Sequence, residues 1–187
     1  MRCFIAIDVP GEVKRAISEV IGKVRDPLKG MRWVPTEGLH VTLKFLGTVR
    51  DDMLSQIEKA LSDICAVYQP FSASVRGTGA FPGPTRPNVV WAGMEEPGEM
   101  GRLASDIDEA MHRLGFEREE RRFSPHLTIG RVKDRRGIDR VMKDLATFKD
   151  TFFGTINIEE ILLMRSDLKP SGAEYTKVAG FKLKNTL

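Results

Sequence analysis

A chain of 187 residues is long enough for one domain with a sizeable core, and 41% hydrophobic with 29% charged residues is the balance of an ordinary globular protein. No apolar run approaches the roughly 18–20 residues that cross a bilayer, and Met1–Asp8 is too short for a signal-peptide core before Pro10, so a cytoplasmic protein without membrane contact is expected. The net charge of +3 is mild, and no low-complexity tract, acidic tail or long linker interrupts the chain.

Arg2 to Asp8 reads as a strand. From Gly11 to Arg25, Val13, Ile17, Val20, Ile21 and Val24 follow the three-to-four spacing of one buried helix face, which Asp26-Pro27 ends. Met31 to Val34 is a short strand before Pro35, and a longer one runs from His40 to Leu46. Asp51-Asp52 open a helix carrying Leu54, Ile57, Leu61 and Ile64. Phe71 to Gly79 is predicted as a strand. The run Phe81-Pro82-Gly83-Pro84-Thr85-Arg86-Pro87 suits neither a helix nor a central strand, so a loop is expected there. Asn88–Gly93 is a strand, Gly98–Leu114 a helix, Phe123–Val132 a strand and Gly137–Phe148 a helix. Thr155–Arg165 and Glu174–Leu183 are predicted to close the fold as two strands around Lys169-Pro170-Ser171-Gly172. Cys3 and Cys65 lie far apart in apolar settings and read as buried thiols.

Two phrases echo each other: His40-Val41-Thr42-Leu43 and His126-Leu127-Thr128-Ile129. Side chains alternate along a strand, so each histidine shares a face with the threonine two residues on. The echo extends to the surroundings. Ile5 precedes His40 by 35 positions and Val90 precedes His126 by 36; a helix can begin 11 positions past each histidine, and the next strand begins near Phe71 and near Asn157, each 31 positions past its histidine. The shared order strand, helix, His-strand, helix, strand reads as a duplication. The expected fold is therefore α+β: a single bilobal domain over 1–187, with lobes near 1–80 and 88–187 joined by 81–87 and antiparallel sheets lining a central cleft.

Facing lobes would bring two imidazoles and two hydroxyls to one small volume. One neutral and one protonated imidazole make a general base and general acid near neutral pH, and threonine hydroxyls suit non-bridging phosphate oxygens. Such a set performs in-line phosphoryl chemistry with no cofactor. A zinc site would need three or four ligands, and beyond the pair only His112 and scattered carboxylates remain; no metal is expected. His112 lies off the apolar stripe of its helix and reads as solvent-facing. Between Arg113 and Lys143 there are ten Lys/Arg against five Asp/Glu, either a solvated face or a rim that draws a polyanion, with Arg118, Arg121 and Arg122 as RNA-holding candidates on charge alone.

Arg32-Trp33-Val34-Pro35 leading to His40-Val41-Thr42-Leu43-Lys44-Phe45-Leu46-Gly47, followed by Ser124-Pro125-His126-Leu127-Thr128-Ile129-Gly130-Arg131, resembles the 2H phosphoesterase superfamily with its paired HxTx motifs. Within it the chain is most similar to the RNA 2′,3′-cyclic phosphodiesterases, historically called 2′-5′ RNA ligases, over essentially its whole length from Phe4-Ile5-Ala6-Ile7-Asp8 onward. The resemblance implies a bilobal hydrolase that opens a terminal 2′,3′-cyclic phosphate on RNA, tRNA halves included, to a 2′-phosphomonoester. It implies His40 as proton donor to the departing 3′ oxygen, His126 as the proton acceptor that activates water, and Thr42 and Thr128 as phosphate holders. Near-symmetry makes the two histidines look interchangeable. Arg131 also matches the family pattern, but five places past His126 a regular strand would turn it to the opposite face; a bulge at Gly130 would re-aim it toward base stacking or phosphate binding, with Phe4 as aromatic partner, the alternatives being a surface arginine and, as the default for an N-terminal strand, a core phenylalanine. Two other functions fit the same residues: an ATP-independent 2′-5′ RNA ligase running the chemistry backward, and a non-catalytic module that binds RNA ends. Nothing suggests an obligate partner, and a monomer is expected.

Overall fold

The computed structural model describes residues 1–26, 28–96, 98–169 and 172–184. Nine strands form one antiparallel sheet: β1 (Arg2–Asp8), β2 (Met31–Trp33), β3 (His40–Thr48), β4 (Phe71–Phe81), β5 (Val89–Glu95), β6 (His126–Val132), β7 (Phe152–Ile158), β8 (Glu160–Lys169) and β9 (Gly172–Lys182). Four helices accompany it: α1 (Gly11–Lys23), α2 (Leu54–Cys65), α3 (Glu99–Arg113) and α4 (Ile138–Ala146). Each helix turns its periodic apolar face to the sheet. Val13, Ile17 and Val20 are buried on α1, Ile57, Leu61 and Cys65 on α2, Met100, Leu103, Ile107 and Met111 on α3, and Ile138, Val141 and Leu145 on α4. Full burial of one such side chain stabilises the fold by about 1.5–3 kcal/mol. α3 starts after Gly98, whose φ of 99° lies where a side chain would be strained. Both cysteines are free and buried, and burial pushes the Cys65 thiol up to about 12. None of the described helices is long and apolar enough to cross a membrane.

The sheet runs in the order β7-β4-β5-β6-β3-β1-β8-β9, with β2 beside β6. The two His-strands, β3 and β6, meet at its centre through the pair Val41 and Leu127. Outward from that seam each half repeats the arrangement, β3-β1-β8-β9 on one side and β6-β5-β4-β7 on the other. The halves are not the sequence halves divided at 81–87. β4, from the first, pairs with β5 and β7, while β8 and β9, from the second, extend β1. The single expected strand 155–165 is also two: β7 ends at Ile158, β8 starts at Glu160, and they occupy opposite halves of the sheet order. Two Cα steps of about 3.8 Å separate those residues. The sheet must therefore curl until its two ends approach.

Candidate active site

The central seam builds the site. Val41 and Leu127 are wholly buried, so both point to the helix-covered face. Their neighbours His40, Thr42, His126 and Thr128 are partly exposed and share the other face. Val41 and Leu127 are the one residue pair the two strands share among the described residues, with His40 and Thr42 flanking it on one strand and His126 and Thr128 on the other. Two imidazoles and two hydroxyls thus lie along the seam on one solvent-facing side.

Each imidazole is oriented in the same way. His40 Nδ1–H donates to the Gly38 carbonyl at 2.8 Å, and His126 Nδ1–H donates to the Ser124 carbonyl at 2.7 Å. A carbonyl can only accept, so both rings carry a proton on Nδ1 and keep Nε2 for proton transfer. Aromatic rings hold them laterally. Phe4 lies 4.8 Å from His40 by ring centroids and Tyr175 meets it edge-on at 5.0 Å; Phe81 meets His126 edge-on at 5.0 Å. Trp91 backs Phe81 at 5.4 Å, with its ring laid across Gly79, where an added Cβ would come within 2.3 Å of the indole. Gly79 is what allows that ring to lie flat.

Both His-strands carry the same irregularity one residue past the threonine. In β3, Ala6 pairs with Thr42 and Ile5 with Lys44, leaving Leu43 as an extra residue. In β6, Trp91 pairs with Thr128 and Val90 with Gly130, leaving Ile129 extra. A bulge reverses the alternation beyond it. Phe45 and Arg131, each five residues past its histidine, consequently emerge exposed on the histidine face, while Lys44 turns inward to 5% exposure. There Lys44 Nζ binds Asp108 Oδ1 at 2.5 Å and the Glu117 carbonyl at 2.8 Å.

The expectations for the remaining residues divide. Arg131 is on the histidine face, within electrostatic range of His40. Phe4 is only 2% exposed, so it has almost no surface for a base to stack on; it backs the His40 ring instead, a correction to the substrate-binding role expected for it. Arg118 is paired with Glu109. Arg121 and Arg122 line a separate groove beside α3 with Leu43, Asp108 and Phe123. His112 is exposed at the end of α3. Sequence reasoning missed Tyr175, Phe81 and Phe45. Only Phe45 left a signal, in sharing the five-residue offset of Arg131. A cavity of about 250 Å³ adjoins His40, lined by Ala6, Leu39, Leu162, Met164 and Tyr175, with Asp8, Glu37 and Lys14 also contributing.

Burial lowers the His40 pKa from its ordinary value; the Gly38 carbonyl opposes this, the Lys14 and Arg131 cations add to it, and Asp8 opposes it. An anion seated beside the ring would favour the imidazolium. NMR titration should show His40 changing charge below about 6.5 in the free protein and at higher pH with inorganic phosphate bound. An unchanged His40 titration in saturating phosphate would place the anion elsewhere.

A family model of the 2′-5′ RNA ligase superfamily matches residues 13–170. The chain belongs to that superfamily. Its relatives there include an Archaeoglobus fulgidus protein called RNA 2′,3′-cyclic phosphodiesterase, 37% identical over 97% of this chain and 100% of its own length. A Thermotoga maritima protein of the same name is 41% identical over 71% of each chain. Among solved structures, one from Thermus thermophilus superposes with a TM-score of 0.83 at 32% identity, and E. coli LigT complexed with 3′-AMP does so with 0.77 at 27%, each covering 98% of both chains. Superfamily membership and the curled antiparallel α+β architecture agree with the resemblance carried by the two HxTx motifs.

Proposed function

We propose that the protein is an RNA 2′,3′-cyclic phosphodiesterase, converting a terminal 2′,3′-cyclic phosphate to a 2′-phosphomonoester with a free 3′ hydroxyl. The observation that carries this is the pairing of Val41 with Leu127, which sets two His-x-Thr units across from one another on one face. In the proposed reaction His126 Nε2 takes a proton from water as the water oxygen attacks phosphorus. The bond from phosphorus to the 3′ oxygen breaks on the opposite side, and His40 Nε2–H protonates that oxygen. Thr42 and Thr128 donate to the non-bridging oxygens and so oppose the negative charge that builds on them. The terminal nucleoside, on the leaving-oxygen side, has the cavity beside His40 and Tyr175 available to it.

The lowered pKa of His40 disfavours the imidazolium that must donate, so the assignment requires the anionic cyclic phosphate to restore it on binding. RNA fragments with cyclic ends, tRNA halves among them, are the proposed substrates, acted on by a cytoplasmic monomer. The test is incubation with a 2′,3′-cyclic-phosphate oligonucleotide in excess EDTA, with the position of the phosphate in the product identified by ³¹P NMR. A 2′-phosphate is the expected product. Unchanged substrate, or a 3′-phosphate, would overturn the proposal.

A further inference from the structure

Arg32 belongs to a motif singled out in the sequence but left without a role there, and its position in the sheet gives it one. β2 runs antiparallel to β6, and Arg32 is the direct partner of Arg131. Directly opposed residues project from the same face with Cβ atoms about 5 Å apart, and like charges in that position destabilise the pairing. The flanking pairs establish which face this is. Met31 is buried, and a Cβ on Gly130 would meet Met31 and the Trp33 ring, so Met31, Trp33 and Gly130 look toward the core. Arg32 and Arg131, alternating with them, look into the histidine groove and are both exposed. Neither guanidinium has a carboxylate or carbonyl within hydrogen-bond reach among the described residues.

We propose that Arg32 and Arg131 form a second phosphate subsite, which holds the phosphodiester on the 5′ side of the terminal nucleoside. This rests on reading the groove as a cyclic-phosphate site. Two imidazoles and two hydroxyls already surround the reacting phosphate. Arg131 lies three residues past Thr128 with one taken up by the bulge, about 7 Å along the strand at about 3.3 Å per residue. Arg32 sits one strand further out still. That places the pair about one nucleotide repeat from the reacting centre, where a substrate longer than a mononucleotide presents its next anion. An anion between the two guanidiniums removes their mutual repulsion, and paired N–H donors suit phosphate oxygens. The subsite would make the enzyme select RNA ends over free cyclic nucleotides.

The experiment compares a nucleoside 2′,3′-cyclic phosphate, which has no second phosphate, with a dinucleotide ending in the same group. The wild-type protein should favour the dinucleotide in kcat/KM by about tenfold or more, the scale of one charge-assisted contact. In Arg32→Gln that preference should collapse toward unity through KM, and Arg32→Lys should recover part of it. The salt dependence of dinucleotide KM should also fall, by about 0.7 in logarithmic slope for one phosphate contact on a single strand. A preference unchanged in Arg32→Gln, or an equal loss on both substrates, would overturn the subsite. Turnover of neither substrate by the wild-type protein would instead overturn the hydrolase reading. In that case equilibrium binding of the 2′-phosphorylated dinucleotide decides the subsite separately: weakening in Arg32→Gln supports it, and unchanged affinity overturns it.

Discussion

Alanine at His40 or at His126 is expected to lower kcat on a cyclic-phosphate oligonucleotide by about 10²–10⁴-fold, the usual contribution of one positioned proton-transfer group. Both side chains are partly exposed at the groove, and the pairing beneath them runs through the buried Val41 and Leu127, so the variants should remain folded. The near-symmetry of the site leaves the two roles to be separated by leaving group rather than by position. Sulfur in place of the 3′ oxygen departs as a thiolate, which needs far less protonation than an alkoxide. His40→Ala should therefore regain much of its loss on the 3′-thio substrate, and His126→Ala should not, because water must still be deprotonated. Rescue of His126→Ala instead would exchange the assignments. Full activity of either variant on the oxygen substrate would remove the proton-transfer pair from the mechanism.

The quartet of His40, Thr42, His126 and Thr128 was legible because it depends on the shortest-range rule in a strand: residues two apart share a face, and Val41, Leu43, Leu127 and Ile129 are apolar enough to say which face is buried. The helices were legible from their three-to-four apolar spacing, with boundaries displaced by one to three residues, the largest at Asp51–Met53, a 3-10 turn ahead of α2. What could not be read is set by pairing between distant segments. Alternation alone would put Lys44 on the histidine face and Arg131 off it; the bulges at Leu43 and Ile129 reverse both, and although Gly130 hinted at the second, the first left no mark and only the partner strand shows it. The break at Glu159 has no glycine or proline to mark it, so β7 and β8 read as one strand although they pair at opposite ends of the sheet. The opposition of Arg32 to Arg131 likewise exists only once β2 is laid against β6.

Lys44 shows what the first bulge accomplishes, and breaking its ion pair should have the largest effect on stability. The Lys44 side chain is 4% exposed and that of Asp108 18%. Burial pushes Asp108 up, but hydrogen bonds from Lys44 and the Glu119 N–H, with the charges of Lys44 and Arg118, outweigh it and hold its pKa below the ordinary value. Asp108→Ala leaves a buried ammonium with only the Glu117 carbonyl, and should destabilise the fold by about 3–5 kcal/mol in urea unfolding. Replacing both partners by apolar residues, Lys44→Met with Asp108→Leu, should recover most of that, since no charge is then stranded. The sign with pH follows from the depressed carboxylate: its contribution is complete above the unfolded value near about 3.9 and is lost as pH falls through the lower folded value, so the gap between wild type and Asp108→Ala should close only in acid. Because Glu117 and Glu119 lie in the segment that leads to Ser124 and His126, the single variant should also lose kcat at temperatures where it is still folded. A destabilisation below about 1 kcal/mol, the value of an exposed pair, would mean that water reaches Lys44 and that the strand is not anchored through it.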